Sequence, residues 1–190
     1  MTETEEKYFE KFEEDIKSEL GYSDVTKYPG FLFSSYDEFK NEFNNEKVGL
    51  QVEYDYERMI VYGLKKERFI HYLWMTFPLL VIIASIVLAI MTANWFILIA
   101  SPLTIVGFYL ASPHSKTTKP IYLIGSIAFI VSFFLWDWSW SFVIGSLPFS
   151  QYFSMMVRQT YRKAIIKRAL YSETLFLWFL HNQIIKLKFE

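Results

Sequence analysis

Few side chains in this sequence are of types and spacings that could do chemistry, so they are weighed first. The histidines are His71, His114 and His181. Glu67 and His71 stand four apart, a spacing that places both on one helix face. A protein metal site normally takes three or more ligands, and no third residue stands at a supporting spacing. The histidines therefore read as interfacial or structural. There are no cysteines, which excludes disulfides, thiol catalysis and thiolate-bound metals. The carboxylates within residues 3–19 are interleaved with Lys7, Lys11 and Lys17. Catalytic carboxylates need burial, or a like charge in a shared cleft, to move their pKa. These read instead as a solvated helix face. No catalytic, cofactor-binding or metal-binding residue is assigned, and no cofactor is expected.

Two features remain. Asp137 lies in the segment WDWSW between two apolar runs. A carboxylate inside a bilayer would mark a functional site by default, but this position reads as a polar hairpin tip. The second feature is the basic cluster Arg158, Arg162, Lys163, Lys167 and Arg168. Such a cluster anchors anionic headgroups or docks an acidic partner. An acidic partner exists within the chain. Residues 1–70 carry 17 acidic and 10 basic side chains, whereas residues 71–190 carry 3 and 9. The acidic head is therefore expected to fold back over the basic segment. The basic residues lie beside apolar runs rather than on a separate basic domain, so no nucleic-acid partner is expected.

The elements that must position these residues follow from the charge distribution. No Asp, Glu, Lys or Arg occurs between Arg68 and Lys116, and only Asp137 between Lys119 and Arg158. Helices of a soluble domain show water a charged face, whereas long uncharged apolar runs read as membrane spans. The fold expected is an α-helical integral membrane protein with four spans, Tyr72–Met91, Trp95–Ala111, Ile121–Trp136 and Trp138–Val157, paired as two tight hairpins. Trp74, Trp95, Trp136, Trp138 and Trp140 lie near the proposed ends, as an aromatic belt requires. Pro78, Pro102 and Pro148 interrupt three of these runs. Gly107 and Ala111, four apart, allow close helix packing.

Basic residues flank alternate connections: Lys65, Lys66 and Arg68 first, Lys116 and Lys119 in the middle, the cluster from Arg158 last. The positive-inside rule then puts both termini in the cytoplasm and the protein in the plasma (cell inner) membrane.

Outside residues 71–157, residues 1–70 read as a small α+β head and residues 158–190 as a basic, amphipathic tail. Phe9, Phe12, Ile16 and Leu20 recur at helical spacing over residues 3–20, with Thr2 and Glu5 as a capping box and Gly21 as a stop. A second helix is expected over residues 35–45, capped by Ser35 and Glu38, and a strand over residues 48–54. Tyr22, Tyr28, Phe31, Phe33 and Tyr36 serve either as contact anchors or as the core of a head with little else to bury. The run Thr174–Leu187 is too short to span comfortably. It reads as an interfacial helix with Trp178 at headgroup depth, or as a tail whose last residues form a strand pairing with residues 48–54.

The function expected is that of a non-enzymatic multi-pass membrane protein acting through protein–protein binding. An accessory subunit or a membrane-resident inhibitor of the immunity type has this profile. The alternative is an oligomeric channel, transporter or membrane-permeabilising effector. The absence of ionisable groups from the spans weighs against ion-coupled transport. The partners expected are a bilayer with anionic headgroups and a protein partner or a second copy. The docking residues expected are Arg158, Arg162, Lys163, Lys167 and Arg168.

Overall fold

A computed structural model describes residues 3–17, 20, 24–55, 57–59, 63–111 and 118–189. The expected Thr2 cap, the Gly21 stop, Tyr22 and His114 lie outside the described residues. The helices are α1 (Glu3–Lys17), α2 (Tyr36–Asn44), α3 (Lys65–Thr92), α4 (Ala100–Leu110), α5 (Thr118–Leu135), α6 (Trp138–Ala169) and α7 (Glu173–His181). The strands are β1 (Val48–Val52) and β2 (Ile185–Phe189), and 3-10 turns cover Val25–Lys27 and Trp95–Ile99. These elements form two compact units. One is Met1–Leu64 with Tyr161–Glu190, here called the head; the other is Lys65–Thr160, the apolar unit.

The head is organised around α7. Leu175, Phe176, Leu177, Trp178, Phe179 and Leu180 are all buried, so no side of this helix is left for water or lipid. A helix that is apolar all round belongs inside a core. Its start is fixed by Ser172, whose hydroxyl accepts from the Leu175 amide at 3.2 Å. Around it stand the aromatic side chains of the N-terminal segment. Phe39 lies 4.5 Å from Phe176 by ring centroids, Tyr36 5.4 Å and Phe31 6.1 Å, and Phe12 of α1 meets Trp178 edge-on at 5.7 Å. The sequence leaves Tyr28, Phe31, Phe33 and Tyr36 open between contact anchors and core; all four pack in or against the core cluster.

β1 and β2 then close the head as an antiparallel ladder, from Val48 opposite Phe189 to Val52 opposite Ile185. The period-2 alternation is clean. Val48, Leu50, Val52 and Ile185 are buried, while Gln51, Glu53, Lys186 and Lys188 are exposed on the other face. The tail is thus a core helix followed by a strand, and the expected interfacial C-terminal segment is corrected on this point. Its short apolar run is explained by protein contacts on every side rather than by a water–lipid boundary.

α2 starts with a reciprocal cap. The Ser35 hydroxyl accepts from the Glu38 amide at 3.1 Å, and the Glu38 carboxylate accepts from the Ser34 amide at 2.7 Å and its hydroxyl at 2.5 Å. These bonds hold the Glu38 carboxyl below its ordinary pKa.

The apolar unit is built differently. α4 and α6 approach so closely at Gly107 that an added Cβ would lie 2.6 Å from the Leu147 carbonyl oxygen. The Ser150 hydroxyl donates to the Thr104 carbonyl, and Ser154 donates to the Phe108 carbonyl at 2.8 Å. α5 meets α6 where a Cβ on Gly145 would stand 2.7 Å from the Phe129 ring. α3 meets α6 through Phe77 and Phe153, stacked at 4.6 Å with 8° between planes. The polarity is inverted relative to the head. Ser85, Thr104, Ser132, Ser146, Ser150, Gln151 and Ser154 are buried, whereas Ile83, Ile90, Ile124, Ile130, Phe133 and Phe134 point outward. Ile90 is 65% exposed and Phe134 78%.

The expectation of four membrane spans is also corrected. Among the described residues one helix, α3, is long and apolar enough to cross a membrane, with 28 residues that include an 18-residue stretch of mean hydropathy 2.5. Trp95–Leu110 and Pro120–Leu135 are apolar but shorter, in the range of 10–17 residues. At 1.5 Å per residue, such lengths fall below the ~30 Å hydrocarbon core. α6 is 32 residues long, but its buried serines and Gln151 dilute its hydropathy. Neither charge depletion nor the alternation of basic flanks, on which the four-span expectation rests, distinguishes a spanning helix from a short apolar one.

Replacing Phe176 with Ala should remove the ring at the centre of the head. A fully buried Phe→Ala change costs about 3–5 kcal/mol. Thermal unfolding of the detergent-solubilised full chain should show a lower head transition and faster proteolysis of residues 1–64. An unchanged transition would mean that α7 is not the core.

Candidate functional site

The expected docking cluster is not one surface. Within the head, Arg162, Lys163 and Lys167 are exposed, whereas Arg168 is 1% exposed. The Arg168 guanidinium donates to the Ala164 carbonyl of its own helix at 2.6 Å and lies 5.2 Å from the centroid of the Phe9 ring of α1. It acts as a core residue that clamps α1 onto α6. Arg158 is half-buried in the apolar unit. What remains outward is the trio Arg162, Lys163 and Lys167.

Besides the ladder, side-chain contacts tie the N-terminal segment to the C-terminal one. The Val25 amide donates to Glu173 Oε1 at 2.7 Å. The Tyr28 hydroxyl donates to the Leu180 carbonyl at 3.1 Å, and the Tyr36 hydroxyl donates to the Ala169 carbonyl at 2.6 Å. Arg162 donates to the Leu50 carbonyl at 3.4 Å. Burial, with Glu173 and Asp37 adding to it, raises the Tyr36 phenol above its ordinary 10.0.

The two sheet edges are treated differently. The Glu53 amide donates to the Ile184 carbonyl at 3.1 Å. This fixes the ladder's phase: Ile184, Lys186 and Lys188 bond toward β1, and Ile185, Leu187 and Phe189 turn their amides and carbonyls away from it. On β1, the outward carbonyl of Leu50 is taken by Arg162, while the outward groups of Val48 and Val52 have no hydrogen-bond partner among the described residues. On β2, the outward backbone groups of Ile185, Leu187 and Phe189 have no hydrogen-bond partner among the described residues. A groove of about 210 Å³ runs beside Ile185, Lys186 and Leu187, with Tyr28, Gly30, Leu180 and Gln183 forming its other wall. No β1 residue lines it, so it lies on the open side of β2. Gly30 sits at φ +86°, and a Cβ there would meet nothing within 4 Å.

The remaining expected residues are separated. His71 is buried in the apolar unit and hydrogen-bonded to the backbone of Val157. His181 is exposed in the last turn of α7, in the head. Asp137 is exposed, and its carboxylate accepts from the Trp138 amide at 2.8 Å and the Ser139 hydroxyl at 3.3 Å. It caps the start of α6. Among the described residues, no group of three or more His, Asp or Glu could hold a metal ion.

Sequence reasoning missed the role of Glu173, 148 positions from the amide that it accepts from, and the openness of the β2 edge. The alternation of residues 184–190 signalled a strand, but no local pattern reports which edge stays unpaired. Comparison with known proteins gives no family-model match, no similar curated protein and no similar solved structure.

Two outcomes follow. Arg168→Glu should accelerate proteolysis of residues 1–64 sharply, because it places a carboxylate in a core, whereas Lys163→Glu and Lys167→Glu should leave cleavage almost unchanged; equal effects at all three would return the cluster to a single charged surface. Because the folded-state pKa of Tyr36 is raised, its contribution is fully present below about pH 10. It is lost as the pH climbs from there through the folded value. Tyr36→Phe should cost about 1 kcal/mol at neutral pH for the lost hydrogen bond yet flatten the alkaline fall in head stability. An identical alkaline slope in the variant and the parent would exclude Tyr36 as the titrating group.

Proposed function

We propose that this chain is a non-enzymatic membrane protein that works by binding another protein, with its apolar unit held in a lipid bilayer and its head carrying the contact surface. The observation that carries this reading is the inverted polarity of the apolar unit. Small hydroxyl side chains are inside, and large aliphatic and aromatic side chains are outside. In water such a surface far exceeds the apolar patches that monomeric proteins tolerate, whereas in lipid it needs no cover. Small residues and interhelical hydroxyl bonds at the contacts are what helix packing in lipid uses.

The β1–β2 ladder joins residues 48–52 to residues 185–189, so no bilayer separates the two ends of the head. Lys65, Lys66, Arg162, Lys163 and Lys167 are exposed. By the positive-inside rule they favour a cytoplasmic head on the cell inner membrane, next to anionic headgroups. The exposed Arg162–Lys167 face and the open β2 edge are the surfaces that a protein partner would use.

Membranes from expressing cells, washed with alkaline carbonate, should retain the full chain in the pellet, and its release would overturn membrane residence. Crosslinking in intact membranes should give an adduct with a different protein of defined mass. Self-adducts alone would replace the binding reading with an oligomeric pore.

A further inference from the structure

We propose that the outer edge of β2 is a strand-addition site for an extended segment of a partner protein that alternates apolar and acidic residues. This rests on the binding reading above and assigns it a place and a partner chemistry. An open sheet edge is a ready template for a further strand. Here the template is the outward amides and carbonyls of Ile185, Leu187 and Phe189, left unpaired among the described residues. On the opposite edge of the same sheet, Arg162 already takes the Leu50 carbonyl at the middle of β1.

The pleat specifies the incoming side chains. Residues added opposite Ile185 and Leu187 fall on the core side of the sheet, over the groove that Leu180 and Tyr28 help to line. That side favours apolar residues. Residues added opposite Lys186 and Lys188 fall on the exposed face beside two ammonium groups. Lys186 has one exposed partner, Glu53, at 3.6 Å, a type of pair worth little in water. Lys188 meets no carboxylate among the described residues. Acidic residues in the added strand therefore find unmatched positive charge.

The same charges argue against a second copy as the occupant. Antiparallel pairing of two β2 strands about Leu187 would set Lys186 of each against Lys188 of the other, and like charges directly opposite destabilise a ladder. Gly30 lines the same groove without a side chain, and a Cβ there would meet nothing within 4 Å.

The test uses the full chain in detergent micelles and short fluorescent peptides read by anisotropy. A peptide alternating Glu and Val should bind, and one alternating Lys and Val should bind roughly tenfold more weakly or worse. N-methylation of the Glu/Val peptide along one edge should abolish binding, because it removes the donors of the ladder. Lys186→Glu with Lys188→Glu should reverse the charge preference without affecting the fold, since both side chains are exposed. Equal binding of all three peptides, or no binding of any, overturns the site. So would a dimer that Leu187→Pro dissolves by removing an outward donor, which would make a second copy the occupant. Retention in carbonate-washed membranes together with a heterologous adduct would leave the general binding reading standing if the peptides fail.

Discussion

The constraint on which the head depends is the burial of α7. Six consecutive apolar residues, Leu175 to Leu180, occupy every face of that helix, so it must be enclosed on all sides. The C-terminal segment cannot do this alone, because the elements that cover it come from the opposite end of the chain: α1 through Phe12, the 31–33 segment through Phe31, and α2 through Tyr36 and Phe39. Long-range closure is therefore a consequence of composition. A helix of this kind commits the two ends of the chain to each other through apolar burial alone. The polar contacts of Val25, Tyr28 and Tyr36 then fix which way round the ends meet.

The two units solve the same problem for different surroundings. In the head, apolar residues face inward and charges face outward, the arrangement that water requires. In the apolar unit, the interior is spent on close backbone approach. Gly107 admits the Leu147 carbonyl, Gly145 admits the Phe129 ring, and serine hydroxyls return to backbone carbonyls. Gln151 departs from this economy. It is fully buried, and neither amide atom has a hydrogen-bond partner among the described residues. A buried amide without partners is destabilising by about 1–3 kcal/mol, so this position carries a cost that the surrounding serines do not.

Much of the head was legible in the sequence because its signals are local. Ser35 and Glu38 announced the start of α2, the 3.6-residue recurrence of Phe9, Phe12 and Ile16 announced α1, and alternation marked both strands. The tail was misread because a short apolar run has the same pattern whether lipid or protein covers it. Phe176 and Trp178 carry no mark that distinguishes a core from a headgroup layer. The span count went wrong for a related reason. Absence of charge marks apolar surroundings, but crossing a bilayer also needs length, and Trp95–Leu110 lacks it. The candidate edge was legible only as a strand, since its openness depends on which distant segments come to lie beside β2.

Magnitudes decide what holds the acidic and basic parts together. The sequence places a net −7 segment near a net +6 one, and their attraction would be the simplest reason for the ends to meet. Yet the ion pairs within the described head each keep a partner exposed: Lys47 with Glu42 at 3.0 Å, Lys17 with Glu13 at 3.7 Å, Lys186 with Glu53 at 3.6 Å, and Asp55 with Arg58 at 3.2 Å. All but the third are local in sequence, and pairs of this exposure contribute about 0–1 kcal/mol each. Burying a side chain the size of Phe176 or Phe179 contributes about 1.5–3 kcal/mol apiece, and several such residues cross the same interface. Arg168, the basic residue most deeply placed there, stands over a phenyl ring and donates to a carbonyl of its own helix. Apolar burial therefore joins the ends, and charge is left for the surface. On that surface Lys186 and Lys188 stand beside an unpaired strand edge, where charge can select what the backbone will accept.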